Sequence, residues 1–354
     1  MAYPQVRKII DILLILFSIS IIILTVLIIW SSDLLDFQIY YYAAERIIQG
    51  KSPYDWFGIY RLPYQYFPWL ALLFIPLTTF PIDIAWYSYN FLNILLLGGV
   101  FAFLLRRYDY KFRATQLLFI FASALLMIQL VFRVGQIGII QLVIAILIIW
   151  TVDEKKPIMA GLLFPFLLIK PHLVLLFIPA IWLLGGKRII IACLTSTAIV
   201  IFLSNHFWPG WLESMVNTFL EGQLRNDKLG WNFTTPASLF GLERGWNYLV
   251  SVFLLPLGAW IAFRYRHMAT FPWLSFVLAL SLFAAPYSFA YDLPLLIPLL
   301  VWLSPAWSIQ TALLWMFAGL IPFGVLYSSP TYLITVISIG LVIIRGEKTG
   351  LEID

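Results

Sequence analysis

Behind Arg7 and Lys8 the chain enters a run of mostly apolar residues, Ile12–Trp30, and comparable runs recur to its far end. They are Ile84–Leu105, Ala114–Phe132, Ile137–Trp150, Ile158–Leu184, Ile189–Ser204, Trp246–Phe263, Met268–Ala285, Leu293–Leu303, Ala306–Leu326 and Tyr332–Ile344. A helix rises about 1.5 Å per residue and needs about 20 residues to cross a hydrocarbon core of about 30 Å. Charge is too scarce to cover so much apolar surface in water: 11% of the 354 residues are charged and 62% are apolar or aromatic, where soluble domains carry about 25% charge. Lipid must be the solvent, and the expected fold is an all-α polytopic membrane protein forming one integral domain over residues 1–354.

Charge placement sets the expected topology. The first run is too long for a signal peptide and no small-x-small cleavage site follows it, so it is read as a retained span starting in the cytoplasm. The basic clusters RRYDYKFR at 106–113, DEKK at 153–156 and GKR at 186–188 belong inside by the positive-inside rule. Phe67–Phe80 then cannot span, because a crossing there would push 106–113 outside; it is expected as a half-length or juxtamembrane helix. Residues 158–184, bracketed by two basic clusters, must turn back as a hairpin near Lys170-Pro171-His172. About twelve crossings result, with both termini cytoplasmic. Residues 31–83 form the first exoplasmic loop, polar and aromatic as far as Phe67, and 205–245 form the second. Chemistry is expected in these outer loops, since the inner connections hold a handful of residues each.

Several function classes drop out. A single cysteine, Cys193, excludes a disulfide framework and a Cys-x-x-Cys site, and the three histidines lack metal-site spacing. No glycine-rich phosphate loop is present, and the basic excess reads as topology, not as nucleic-acid binding. No metal or cofactor is expected.

In the first outer segment, Phe37, Tyr40, Tyr41, Ala44, Ile47 and Ile48 recur at three and four residues, an amphipathic helix ending at Gly50. Asp36 falls at its start, as an N-cap, a dipole partner or a reactive carboxylate. Lys170 interrupts an otherwise apolar hairpin, which marks it for function. Either it meets an anionic headgroup in a cavity opened by Pro171, or it snorkels to the interface. Arg61, Arg133, and Tyr291 with Asp292 also fall on outer ends of spans; Asp292 could cap the next element, and Gln136 could bind a ligand or cap a turn.

At DFQIYYYAAERIIQGKSPYD the chain resembles glycosyltransferase family 87, polyprenyl-phosphate-sugar-dependent enzymes of the GT-C superfamily. FPWLALLFIPLTTFP, GQIGIIQLVIAIL, AGLLFPFLLIKPHLVLLFIPAIWLLGGKR and APYSFAYDLPLLIPLL continue the likeness in order. Phe289, Ala290, Tyr291 and Asp292 stand where many members carry a Trp and a His. The resemblance implies a GT-C-like bundle that transfers a sugar, usually mannose, from a polyprenyl phosphate to a hydroxyl of a lipid or glycan on the exoplasmic side, with inversion. It implies Asp36 as general base; on physical grounds, Lys170 with Arg61 or Arg133 is expected to neutralise the leaving phosphate. Tyr40, Tyr41, Gln136, His172, Tyr291 and Asp292 are expected to line the substrate site. A transporter or lipid-linked-sugar flippase is the alternative; long outer loops and the lack of two related halves weigh against it.

The topology is testable in intact cells after Cys193 is replaced. A cysteine at position 52 should react with an impermeant maleimide and one at position 349 should not; the reverse pattern refutes the orientation.

Overall fold

The computed structural model describes residues 4–32, 34–55, 64–225, 244–324 and 336–342. Asp33, Arg61 and much of the second long outer segment lie outside the described residues. Within those described, every regular element is helical. Three helices are long and apolar enough to cross a membrane, Gln5–Trp30, Ile82–Arg107 and Phe177–Phe207, and shorter apolar helices accompany them. The chain is an all-α membrane protein.

Helix α1 (Pro4–Trp30) leaves Leu13, Leu16, Ile23 and Leu27 more than half exposed, an outer face suited to lipid. Its other side packs on α5 (Ala114–Met127), with the Phe17 and Phe119 rings 5.3 Å apart. Helix α2 (Leu35–Ile48) buries Phe37, Tyr40, Tyr41 and Ala44 of the predicted stripe, but leaves Ile47 half-buried and Ile48 exposed at its last turn. The segment after the first loop is broken more than expected, into α3 (Pro68–Leu72) and a 3₁₀ turn, Ile75–Thr79. Pro76 is the reason: its ring opposes a helical carbonyl four residues back, at Leu72, where α3 stops.

Helix α4 (Ile82–Arg107) leads to α5, which bends at Ile128 into α6 (Gln129–Val134). Helix α7 (Gly138–Asp153) returns, packed by α4, by α8 (Pro157–Leu167), by α12 (Thr270–Ala284) and by a 3₁₀ turn at Ala290–Leu296. After α8 the chain reverses through a 3₁₀ turn, Pro171–Leu173, into α9 (Phe177–Phe207), so that Phe164 meets Trp182. Gly186, at φ 60°, breaks α9 at the GKR cluster. The remaining helices are α10 (Trp211–Arg225), α11 (Arg244–Arg264), α13 (Ile297–Trp302) and α14 (Ile309–Gly324). The last apolar run is described only at 336–342, where it is helical.

The two ends of the bundle differ chemically. At one, Arg113 pairs with Asp11 at 2.6 Å, Arg107 pairs with Asp153, and the Tyr110 hydroxyl donates to the Trp302 carbonyl. These contacts tie the 106–113 connection to α1, to the end of α7 and to residue 302. Helix α2 packs on α6 and meets the α6–α7 corner.

That corner is built by two glycines. Gly135 ends α6 at φ +77°, and a Cβ there would fall 2.5 Å from Phe37 Cβ and 2.6 Å from the Trp86 ring; a Cβ on Gly138 would strike the Tyr291 carbonyl oxygen. Left-handed backbone with a side chain costs about 1–2 kcal/mol, and overpacking typically adds about 1–3 kcal/mol. Gly135→Ala should therefore lower thermal stability in detergent by about 2 kcal/mol or more. Gly98→Ala, in α4 with no atom near its absent Cβ, should leave stability unchanged or raise it. Equal behaviour of the two variants would refute the close packing at the corner.

Candidate active site

Asp36 is the second residue of α2, not its cap. Leu34 precedes the helix in left-handed conformation, and no side-chain cap bond forms there. The carboxylate is still at the positive end of the helix, yet its Oδ2 reaches across to accept from Gln136 Nε2 at 2.7 Å. Gln136 Oε1 accepts from the Tyr40 hydroxyl at 3.1 Å and from the Ile137 N–H at 3.4 Å. The Gln136 carbonyl accepts from Tyr89 at 2.8 Å, and the Tyr40 and Tyr66 hydroxyls lie 3.2 Å apart. A carboxylate only accepts and a tyrosine can donate, so the amide orientation follows from its partners.

Helix α2 lies outside the membrane-spanning helices. Burial pushes the Asp36 carboxyl up to about 6; the Gln136 hydrogen bond and the Lys170 charge pull it down, and Asp292 pushes it up.

Lys170 does not snorkel. It is 6% exposed, with Nζ 2.6 Å from Asp292 Oδ1 and 4.3 Å above the centre of the Tyr291 ring. Its backbone, at φ −131° and ψ 77°, is non-helical as a residue before proline prefers. The other carboxylate oxygen of Asp292 accepts the Phe289 N–H at 2.9 Å. One aspartate thus anchors the 3₁₀ turn at Ala290–Leu296 and neutralises the lysine.

Around this pair runs an aromatic strip. From Tyr287 to Asp292 the chain alternates, with Tyr287, Phe289 and Tyr291 half-buried and Ser288, Ala290 and Asp292 buried. Phe289 stacks on Tyr291 at 4.9 Å, and His172 stacks on Tyr287 at 4.0 Å.

Asp36, Tyr40, Gln136, Lys170, His172, Tyr291 and Asp292 thus gather at one end. Tyr41 serves differently: its hydroxyl donates to the Phe80 carbonyl at 2.9 Å, fastening α2 to the segment after the 3₁₀ turn. Arg133 is exposed on the last turn of α6, apart from the network, and Arg61 is outside the described residues. Sequence reasoning passed over Tyr66, Tyr89 and Tyr287, and gave Phe289 no role, all aromatic residues in a chain where 18% are aromatic. The segments before α3 and around α10 also meet, with Phe67 against Trp211 and Gln65 donating to the Thr218 carbonyl. Among the described residues no group of three His, Cys, Asp or Glu side chains could hold a metal ion.

A half-buried carboxylate and a paired lysine beside stacked rings, at one end of a lipid-exposed helical bundle, define a membrane protein with a polar site. Residues 64–297 match the family model of glycosyltransferase family 87, and the chain belongs to that family. It is a glycosyltransferase, and the carrier reading gives way. No curated protein and no solved structure gives a significant match.

Lys170→Met would strand Asp292 as a buried charge, and breaking a buried pair costs about 3–5 kcal/mol. Lys170→Met alone should therefore express poorly or melt early. Lys170→Met with Asp292→Asn removes both charges and keeps an acceptor for the Phe289 N–H, so it should recover most of that loss. Melting curves of single and double variants decide; a double variant no better than the single refutes the pairing.

Proposed function

We propose that this glycosyltransferase takes a sugar, mannose by the family likeness, from a polyprenyl-phosphate donor. It passes the sugar to a hydroxyl of a glycolipid or glycan on the exoplasmic face, inverting the anomeric centre. In this reading the chain is a GT-C-like protein of about twelve spans in the cell membrane with cytoplasmic termini, and the site lies at the end opposite the basic connections. It uses no metal or cofactor.

One observation carries the chemistry. Asp36 has one oxygen held by Gln136, while Oδ1 has no hydrogen-bond partner among the described residues and the side chain is only half-buried. The acceptor hydroxyl must lose a proton as it attacks, and a carboxylate within hydrogen-bond reach accepts it. The leaving phosphate needs cationic donors more than a proton. Lys170 offers two N–H groups beyond the one given to Asp292, with Arg61 or Arg133 as the second cation. His172, Tyr287, Phe289 and Tyr291 offer ring faces for the substrate.

Asp36→Asn and Asp36→Ala separate base from architecture. Asparagine still accepts from Gln136 but is too weak a base, so both variants should lose about 10²–10⁴ in rate. The assay is transfer of label from radiolabelled polyprenyl-phosphate-mannose into extracted membrane glycolipids. Wild-type transfer should fall as the pH drops through about 6, because protonated Asp36 cannot act as a base. Near-normal turnover by Asp36→Asn would remove it as the base and make Asp33 the next residue to test.

A further inference from the structure

We infer that Gln136 is a positioning residue for transfer: its amide fixes one oxygen of Asp36 so that the other is presented to the acceptor hydroxyl. The inference rests on the reading of Asp36 as the base, and it differs from the expectation that Gln136 touches substrate. Each end of the amide is already committed, Nε2 to Asp36 at 2.7 Å and Oε1 to Tyr40 at 3.1 Å and to the Ile137 N–H at 3.4 Å. The side chain is 2% exposed, which leaves a substrate little of it to meet.

The backbone beneath it is equally determined. Tyr89 holds the Gln136 carbonyl at 2.8 Å. Gly135 and Gly138 on either side let Phe37 and the Tyr291 carbonyl approach closer than any Cβ would permit. The α6–α7 corner therefore delivers one amide to one carboxylate, across 100 residues of sequence. A donor aimed at a buried carboxylate also favours its charged form over the acid, so Gln136 opposes the burial that would silence the base. Asp36 is subject to the charges of Lys170 and Asp292. The phenols of Tyr40, Tyr66, Tyr89 and Tyr291 also interact with it, and as phenols they are uncharged near neutral pH.

The test compares wild type, Gln136→Leu and Tyr40→Phe by the pH dependence of transfer from radiolabelled polyprenyl-phosphate-mannose. In parallel, an infrared titration follows the Asp36 carboxyl band, identified by its loss in Asp36→Asn. In Gln136→Leu the acidic limb and the carboxyl titration should move together to higher pH by roughly one to two units, the worth of one charge-assisted hydrogen bond. The turnover number should fall with little change in acceptor KM. Tyr40→Phe, which only loosens the amide, should move both in the same direction by less, and it serves where Gln136→Leu fails to fold. An unshifted limb and band in a folded variant overturns the inference. So does a raised acceptor KM at unchanged turnover, which would make Gln136 a substrate contact. An active Asp36→Asn sinks the reading of the base itself, whereas an inactive Asp36→Asn beside a normal Gln136→Leu sinks this inference alone.

Discussion

The close approach at the α6–α7 corner is the constraint on which the rest of the site depends. Phe37 of α2 lies where a Cβ on Gly135 would be, and the Tyr291 carbonyl lies where one on Gly138 would be. Two glycines three residues apart thus bring an outer helix and a late 3₁₀ turn against the same short backbone segment. Between them sits Gln136, whose side chain reaches Asp36 and whose carbonyl receives Tyr89. A buried polar group needs a hydrogen-bond partner, and a corner this tight leaves little freedom in choosing one.

A second constraint is electrostatic. Asp36, Asp292 and Lys170 form a cluster with two carboxylates and one ammonium. Removing charges from water is expensive, and a buried pair recovers the cost only with good geometry and further hydrogen bonds. Lys170 and Asp292 meet both conditions, through the 2.6 Å contact, the Phe289 N–H and the Tyr291 ring. Asp36 has one amide and the more distant Lys170, and its carboxyl accordingly rises while its surface stays partly open. The more fully satisfied carboxylate is suited to architecture and the less satisfied one to chemistry.

Much of the fold was legible because helical periodicity, proline and charge act locally. The first turns of the α2 stripe and the break at Lys170-Pro171 both follow from neighbours in sequence. Pro76 and the bend at Ile128 were present in the sequence too, but hydropathy alone runs through both. The site was legible only in fragments. Lys170 and Asp292 each stood out as charged residues near apolar runs, yet nothing local joins residues 122 apart. Tyr66 and Tyr89 carry no mark among so many rings; only the fold shows which phenol meets Gln136. The family match starts at residue 64, beyond Asp36, so that residue stands on the likeness of its own segment and on the geometry around it.

The pairing of Lys170 with Asp292 bears on how a cation can wait in a site of this kind. Held by Asp292 at 2.6 Å, the lysine has its desolvation offset in place, while two of its N–H groups stay available. For the polyprenyl-phosphate donor proposed above, the phosphate would meet a cation already desolvated and oriented, so fewer water contacts would have to be broken at the moment of binding. Attraction is weakened in exchange, because the aspartate cancels most of the field at long range. In that reading the donor is drawn in chiefly by its hydrocarbon chain in the bilayer, and the ion pair acts only at contact. A second cation on the first loop, where Arg61 lies in sequence, would restore the charge balance once the phosphate is seated.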